Sequence, residues 1–130
     1  MYKYKPREQT FFDIADDVLS RYITATAILD YHTIIGADKF ENIFVSRVPQ
    51  SILFVYFLDA EEDFENNPNS YKFRWENGYL NGAPFKMEQI CSFYAGEVVT
   101  SIQKASLATS GTDLILYSTI NGSIGALCPF

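Results

Sequence analysis

The order strand, corner, strand, tight turn, strand occurs twice in this chain, and that repetition narrows the fold to a stack of similar sheets. The first occurrence runs through Tyr22–Leu29, Thr33–Asp38 and Asn42–Val48, with a polar corner at Asp30–His32 and an Asp/Lys/Asn turn at Asp38–Asn42. The second runs through Val98–Ala105, Asp113–Ile120 and Ser123–Cys128. Two more strand candidates, Thr10–Ala15 and Lys86–Tyr94, flank the first set. Within Tyr22–Leu29 the side chains of Ile23, Ala25, Ala27 and Leu29 share one face, and Thr24, Thr26 and Ile28 share the other.

Composition points the same way. Apolar residues make up 48% of the 130 positions and aromatics 16%, so the chain has the means to bury a core. Nine tyrosines, eleven phenylalanines and many Val, Ile and Thr favour strands, and the expected class is all-β. Helix-like pieces are short, at Asp59–Glu65 and Phe73–Asn77. Several strands are apolar on both faces, such as Leu114-Ile115-Leu116-Tyr117, which fits sheets covered by neighbours on two sides.

The spacing of the repeat identifies the kind of stack. Ile43 and Ile124 hold equivalent places after the tight turn, 81 positions apart. Gln50–Pro84 contributes 35 residues of different character, and without them the period is 46, close to the roughly 40 to 50 residues of a propeller blade. The expectation is a partial β-propeller: one complete four-stranded antiparallel blade at about 10–94, with a long inserted loop at 50–84, and three strands of the next at 98–130. Fewer than two blades cannot close a ring, so such a chain reads as a piece of a larger propeller, with an unpaired strand edge after Cys128 and poor solubility in isolation.

A series of short blocks carries a family resemblance. They are Ala15-Asp16-Asp17, Ala27-Ile28-Leu29-Asp30-Tyr31, Gly36-Ala37-Asp38-Lys39-Phe40, and Asn42-Ile43 through Arg47-Val48-Pro49. Then follow Gly78-Tyr79-Leu80-Asn81-Gly82-Ala83, Gly96-Glu97-Val98-Val99, Leu116-Tyr117-Ser118-Thr119, and Gly122-Ser123-Ile124-Gly125 with Pro129-Phe130. In this order they resemble the large β-propeller subunit of splicing factor 3b, within the superfamily shared with the cleavage and polyadenylation factor A subunit and the damaged-DNA-binding propeller. The resemblance implies a fragment from the C-terminal region of a three-propeller protein. It implies a nuclear, non-enzymatic scaffold of the U2 snRNP acting in branch-site recognition and spliceosome assembly. Its implied partners are the HEAT-repeat large subunit, the very small helical subunit and the small zinc-finger subunit, with RNA approached only indirectly. A sister propeller of a cullin ubiquitin ligase, or of a damaged-DNA-binding or polyadenylation factor, is the alternative within the scaffold class.

Three departures from that family's pattern stand out. Glu41 occupies a turn position where glycine is usual, so either it takes a positive φ at a cost of about 1 kcal/mol or the turn type differs. His32, the only histidine, replaces an expected Asp and has no acid, Ser or Cys at triad-like spacing, which makes it a corner residue. The apolar run Ile52–Leu58 precedes the acidic Asp59–Glu65 within what should be a solvated loop. It reads either as an extra strand or partner-binding segment, or as translated sequence from an in-frame retained intron, and the second reading is favoured.

No catalytic, cofactor-binding or metal-binding residue is assigned. Asp13, Asp16 and Asp17 suit a solvated strand end, and Asp59, Glu61, Glu62, Asp63 and Glu65 lack the glycine and alternating oxygens of a calcium loop. An unrelated β protein with an acidic metal site is the alternative from another class. Gly122-x-x-Gly125 lies between strands with no helix to follow, so it cannot cradle a phosphate. A net charge of −6 disfavours backbone contact with nucleic acid, and Lys3, Lys5 and Arg7 do not reverse it. Cys91 and Cys128 lack metal-ligand spacing and are expected as reduced, buried thiols. The longest apolar run is seven residues, far below the roughly 20 of a membrane helix, and no membrane association is expected.

Overall fold

A computed structural model describes residues 2–50, 83, 85–106, 111 and 113–128. The regular elements within them are strands: β1 (Tyr2–Lys5), β2 (Thr10–Asp13), β3 (Ala15–Asp16), β4 (Ile23–Asp30), β5 (Thr33–Asp38), β6 (Asn42–Arg47), β7 (Phe85–Lys86), β8 (Glu88–Tyr94), β9 (Val99–Ser106), β10 (Asp113–Thr119) and β11 (Ile124–Leu127). The all-β expectation holds. The helix-like pieces at 59–65 and 73–77, the apolar run at 52–58 and the acidic stretch fall outside the described residues.

The chain divides into two units. One combines Met1–Val18 with Val48–Glu88, and the other combines Leu19–Arg47 with Gln89–Phe130. In the first unit β1 and β2 form an antiparallel hairpin, and β3 runs parallel to β7. The strand expected over Thr10–Ala15 is therefore two elements, and neither joins the larger sheets. The Thr10–Asp13 half pairs locally, as a hairpin closed by a short loop can do at little entropic cost.

The second unit holds both large sheets. One has the order β4-β5-β6-β8 and the other β11-β10-β9. Pairing is antiparallel for β4–β5, β5–β6, β9–β10 and β10–β11. This is one four-stranded blade and three strands of another. The segment between β6 and β8 belongs to the first unit.

The manner of packing follows from which faces meet. Ile35, Ala37 and Ile43 of the first sheet are buried with Val99, Ile102 and Ile115 of the second, and Ala25, Ala27, Leu29, Val45, Tyr117 and Leu127 pack around them. Shifted by the repeat of 81, Ile115, Tyr117 and Leu127 correspond to Ile34, Gly36 and Ser46, which alternate with the inward row of the first sheet. The sheets thus meet front to back, as successive blades do, and not as the mirror faces of a sandwich. Ile43 and Ile124 make the point directly. Ile43, in the interface, is 2% exposed, and Ile124, its equivalent on the front of the second sheet, is 81% exposed.

The two tight turns are built alike from different side chains. In the first, the Asp38 carboxylate accepts the backbone amides of Phe40 (2.9 Å) and Asn42 (3.1 Å), and the Glu41 amide donates to the Asp38 carbonyl (3.2 Å). In the second, the Thr119 hydroxyl accepts the Ser123 amide (3.1 Å), and the Gly122 amide donates to the Thr119 carbonyl (3.1 Å). The fourth turn residue is left-handed in both, with φ of 69° at Glu41 and 87° at Gly122. Glu41 therefore does occupy a conformation that suits glycine, at a cost of about 1–2 kcal/mol.

Behind the first turn lies a layered contact. Phe44 stands opposite Gly36 across β5–β6, and a methyl group on Gly36 would come within 2.5 Å of the ring's Cζ. The Arg21 guanidinium covers Phe44 at 3.9 Å from its centroid and reaches Asp38 Oδ2 at 3.8 Å. In the second sheet the roles are reversed at the same register: Tyr117 lies over Gly125.

Two outcomes follow for urea denaturation. Gly36→Ala should cost about 1–3 kcal/mol, because the buried Phe44 ring is capped by Arg21 and has nowhere to move. Asp38→Ala should cost about 2–4 kcal/mol, since it strips the turn amides of their acceptor and strands Arg21.

Candidate interaction surface

The chemistry-bearing residues of the sequence are distributed among local structural contacts. Asp16 accepts the Lys86 ammonium (2.5 Å) and the Ala83 amide (3.1 Å), while its carbonyl accepts the Met87 amide (2.8 Å). That carboxylate pins the returning segment beside β3. Asp13 closes the pairing of β1 with β2 opposite Tyr2. Among the described residues no three His, Cys, Asp or Glu side chains gather as a metal site would require.

His32 sits at the corner between β4 and β5. Its amide donates to the Asp30 carboxylate (3.0 Å), and its Nδ1 lies 3.2 Å from the same oxygen. Partial burial works to raise the Asp30 carboxyl, but the His32 amide, the Thr33 hydroxyl and the imidazole outweigh it and leave the group below its ordinary value. This is an Asx turn that closes a hairpin corner.

Gly122 and Gly125 shape a hairpin, Gly122 by its positive φ and Gly125 by yielding room to Tyr117. The turn between them and β10 is held by Glu97, whose carboxylate accepts the Thr119 hydroxyl. Bonds from Thr119, Ser123 and Asn121 hold the Glu97 carboxyl below its usual range.

What remains is surface. β8 is exposed along its whole length, and Ile90, Phe93 and Tyr94 present apolar area there. At the far edge of the second sheet, β11 offers an outer row of backbone donors and acceptors beside the exposed Ile124. In the other unit Tyr2, Tyr4 and Phe11 are exposed on the β1–β2 hairpin, with the Tyr4 and Phe11 rings 5.2 Å apart. The exposed side chains of β8 and β11 thus lie on edge strands of their sheets.

The burial expected for Cys91 and Cys128 is corrected by this geometry: both are exposed and neither is in a disulfide. Cys91 lies on β8 and Cys128 follows β11, each an edge strand of its sheet. Sequence reasoning also missed Arg21, whose role depends on Phe44 and Asp38 arriving from later strands. A single cation before an apolar strand carries no signal of that.

The fold defines a class of protein: an all-β chain of repeated antiparallel blade-like sheets, part of a propeller. Comparison with known proteins gives the family. The family model described as "CPSF A subunit region" matches residues 1–130, and the chain belongs to that family. It is 44% identical over 98% of its length to Probable splicing factor 3B subunit 3 of Dictyostelium discoideum. It is 43% identical to Spliceosome-associated protein 130 A of Arabidopsis thaliana and 40% identical to Splicing factor 3B subunit 3 of Drosophila melanogaster, again over 98% of the chain. The chain spans about a tenth of the length of each of these curated relatives.

The Glu97 contact predicts a pH dependence of definite sign. A carboxyl whose folded pKa lies below its ordinary 4.5 contributes stability that is present above 4.5 and fades as pH falls through the folded value. Hydrogen exchange at the Ile120–Ser123 amides should therefore lose protection on acidification below that value. Glu97→Gln should remove this dependence while leaving exchange in β5 unchanged.

Proposed function

We propose that this chain serves as part of a non-enzymatic propeller scaffold of the splicing factor 3b type, contributing to pre-mRNA splicing through protein–protein contacts. The observation that carries the reading is the 44% identity along 98% of the chain to a relative named splicing factor 3B subunit 3. The match runs along nearly the whole chain, so it does not rest on one short motif. In this reading residues 10–94 make up one blade region, its sheet formed by β4, β5, β6 and β8 with the loop at 50–84 inserted, and residues 98–130 begin the next.

The physical features agree with assembly through protein. A net charge of −6 keeps RNA phosphates at a distance, so RNA is reached through partner subunits. The exposed aliphatic and aromatic side chains of β8 and β11 supply the apolar centre that protein interfaces favour. The partners are the other splicing factor 3b subunits: the HEAT-repeat large subunit, the very small helical subunit and the small zinc-finger subunit. The site of action is the nucleus.

The test is to tag the endogenous gene at its 3′ end, purify the product and identify its company. Recovery of splicing factor 3b subunits with U2 RNA is the expected result. Recovery of cullin ligase or polyadenylation components would move the chain to a sister scaffold, and a product with no such partners would overturn the reading.

A further inference from the structure

The left-handed residue of the first turn has a contact that its counterpart in the second turn lacks. The Tyr94 phenol, at the end of β8, donates to Glu41 Oε2 at 2.6 Å. The next residue, Ala95, donates its amide to the Glu41 carbonyl at 2.8 Å. One turn residue thus takes two bonds from the point where β8 ends. At the equivalent place in the second repeat stands Gly122, which has no side chain, in a sheet of three strands.

We propose that Glu41 and Tyr94 form a register latch for β8. The need for one is physical. β8 rejoins the sheet beside β6 after the segment from Val48 to Met87, so no short turn fixes its alignment. Its own side chains do not fix it either, because β8 is exposed from Glu88 to Tyr94 and has no buried row to lose by slipping. A slip of two residues would preserve the faces of the strand but carry Tyr94 away from Glu41. Arg21 donates to Gln89 near the start of β8, so the strand is tied at both ends, and the Glu41 contact defines its end point.

The contact also explains why a glutamate is accommodated at a φ of 69°. The phenol prefers its protonated, donating form beside the carboxylate: the hydrogen bond to Glu41 and its charge hold the Tyr94 hydroxyl above its usual pKa. The phenol therefore keeps the proton it donates across the neutral range.

The experiment is amide hydrogen exchange on the protein purified as the cell makes it, comparing Tyr94→Phe, Glu41→Gly, Glu41→Gln and the Tyr94→Phe/Glu41→Gly double variant. Tyr94→Phe and Glu41→Gly should each speed exchange at Phe93–Ala95 by roughly three- to fivefold, the scale of one surface-accessible hydrogen bond. The double variant should go no further than either single one. Glu41→Gln, which keeps an acceptor oxygen, should resemble the parent. Glu41→Gly should at the same time slow exchange in the turn itself, because it relieves the left-handed strain; a residue serving only the turn would not split the two regions in this way. Unchanged exchange at Phe93–Ala95 in Tyr94→Phe, or additive effects in the double variant, would overturn the latch.

Discussion

The carboxylate of Asp38 is the contact on which the first sheet depends. It is buried, with 4% of its residue surface exposed, and a charge in that position is tolerable only with several donors around it. Two turn amides, the Asn42 side chain and Arg21 supply them. The demand runs onward. Arg21 is held where it must cover Phe44, Phe44 is held over Gly36, and the gap at Gly36 lets the ring lie flat on β5. Turn, cation, ring and glycine form one dependent series along the central strand β5, where every residue but Ile34 is buried.

The second sheet reaches the same turn by a lighter route. A threonine hydroxyl stands in for the Asp38 carboxylate, and glycine stands in for Glu41. A neutral acceptor needs no counter-ion; Glu97 comes from outside the turn to fix the hydroxyl. Equal backbone geometry from unequal side chains indicates that the turn is imposed by the strand pairing and the repeat, with side chains selected to satisfy it.

Much of this was legible in the sequence, and the reasons are specific. The strands of the two repeats were visible because the apolar patterns on β4, β5, β6, β9, β10 and β11 are resolved by turn residues that cannot be mistaken. Alternation put Ile23, Ala25, Ala27 and Leu29 on one face without showing which face turns inward; Ala25, Ala27 and Leu29 do pack on the core, and Ile23 is 44% exposed. The positive φ of Glu41 was suggested by the glycine usual there in the resembling family, which left a different turn type open until the backbone was seen. The rest depended on partners distant in the chain. Whether Cys91 is covered depends on which sheet neighbours β8. The fate of Thr10–Ala15 depends on whether Tyr2–Lys5 folds back on it. The value of Arg21 depends on Asp38 and Phe44. Alternation reports that a strand has two faces but not what stands opposite each of them, so edges were the least readable part of the fold.

The reversed glycine and aromatic pairs carry a consequence for how such blades can be recombined. Phe44 on β6 faces Gly36 on β5, whereas Tyr117 on β10 faces Gly125 on β11. Grafting β6 into the place of β11 would set phenylalanine against tyrosine, and the converse exchange would set glycine against glycine and leave a void. Neither single strand is a transferable part, although each matches the other in length class, turn and pairing. The smallest piece that can move between these repeats without repair is the whole hairpin, so chimeras cut in the outer loops should fold where those cut inside a turn do not.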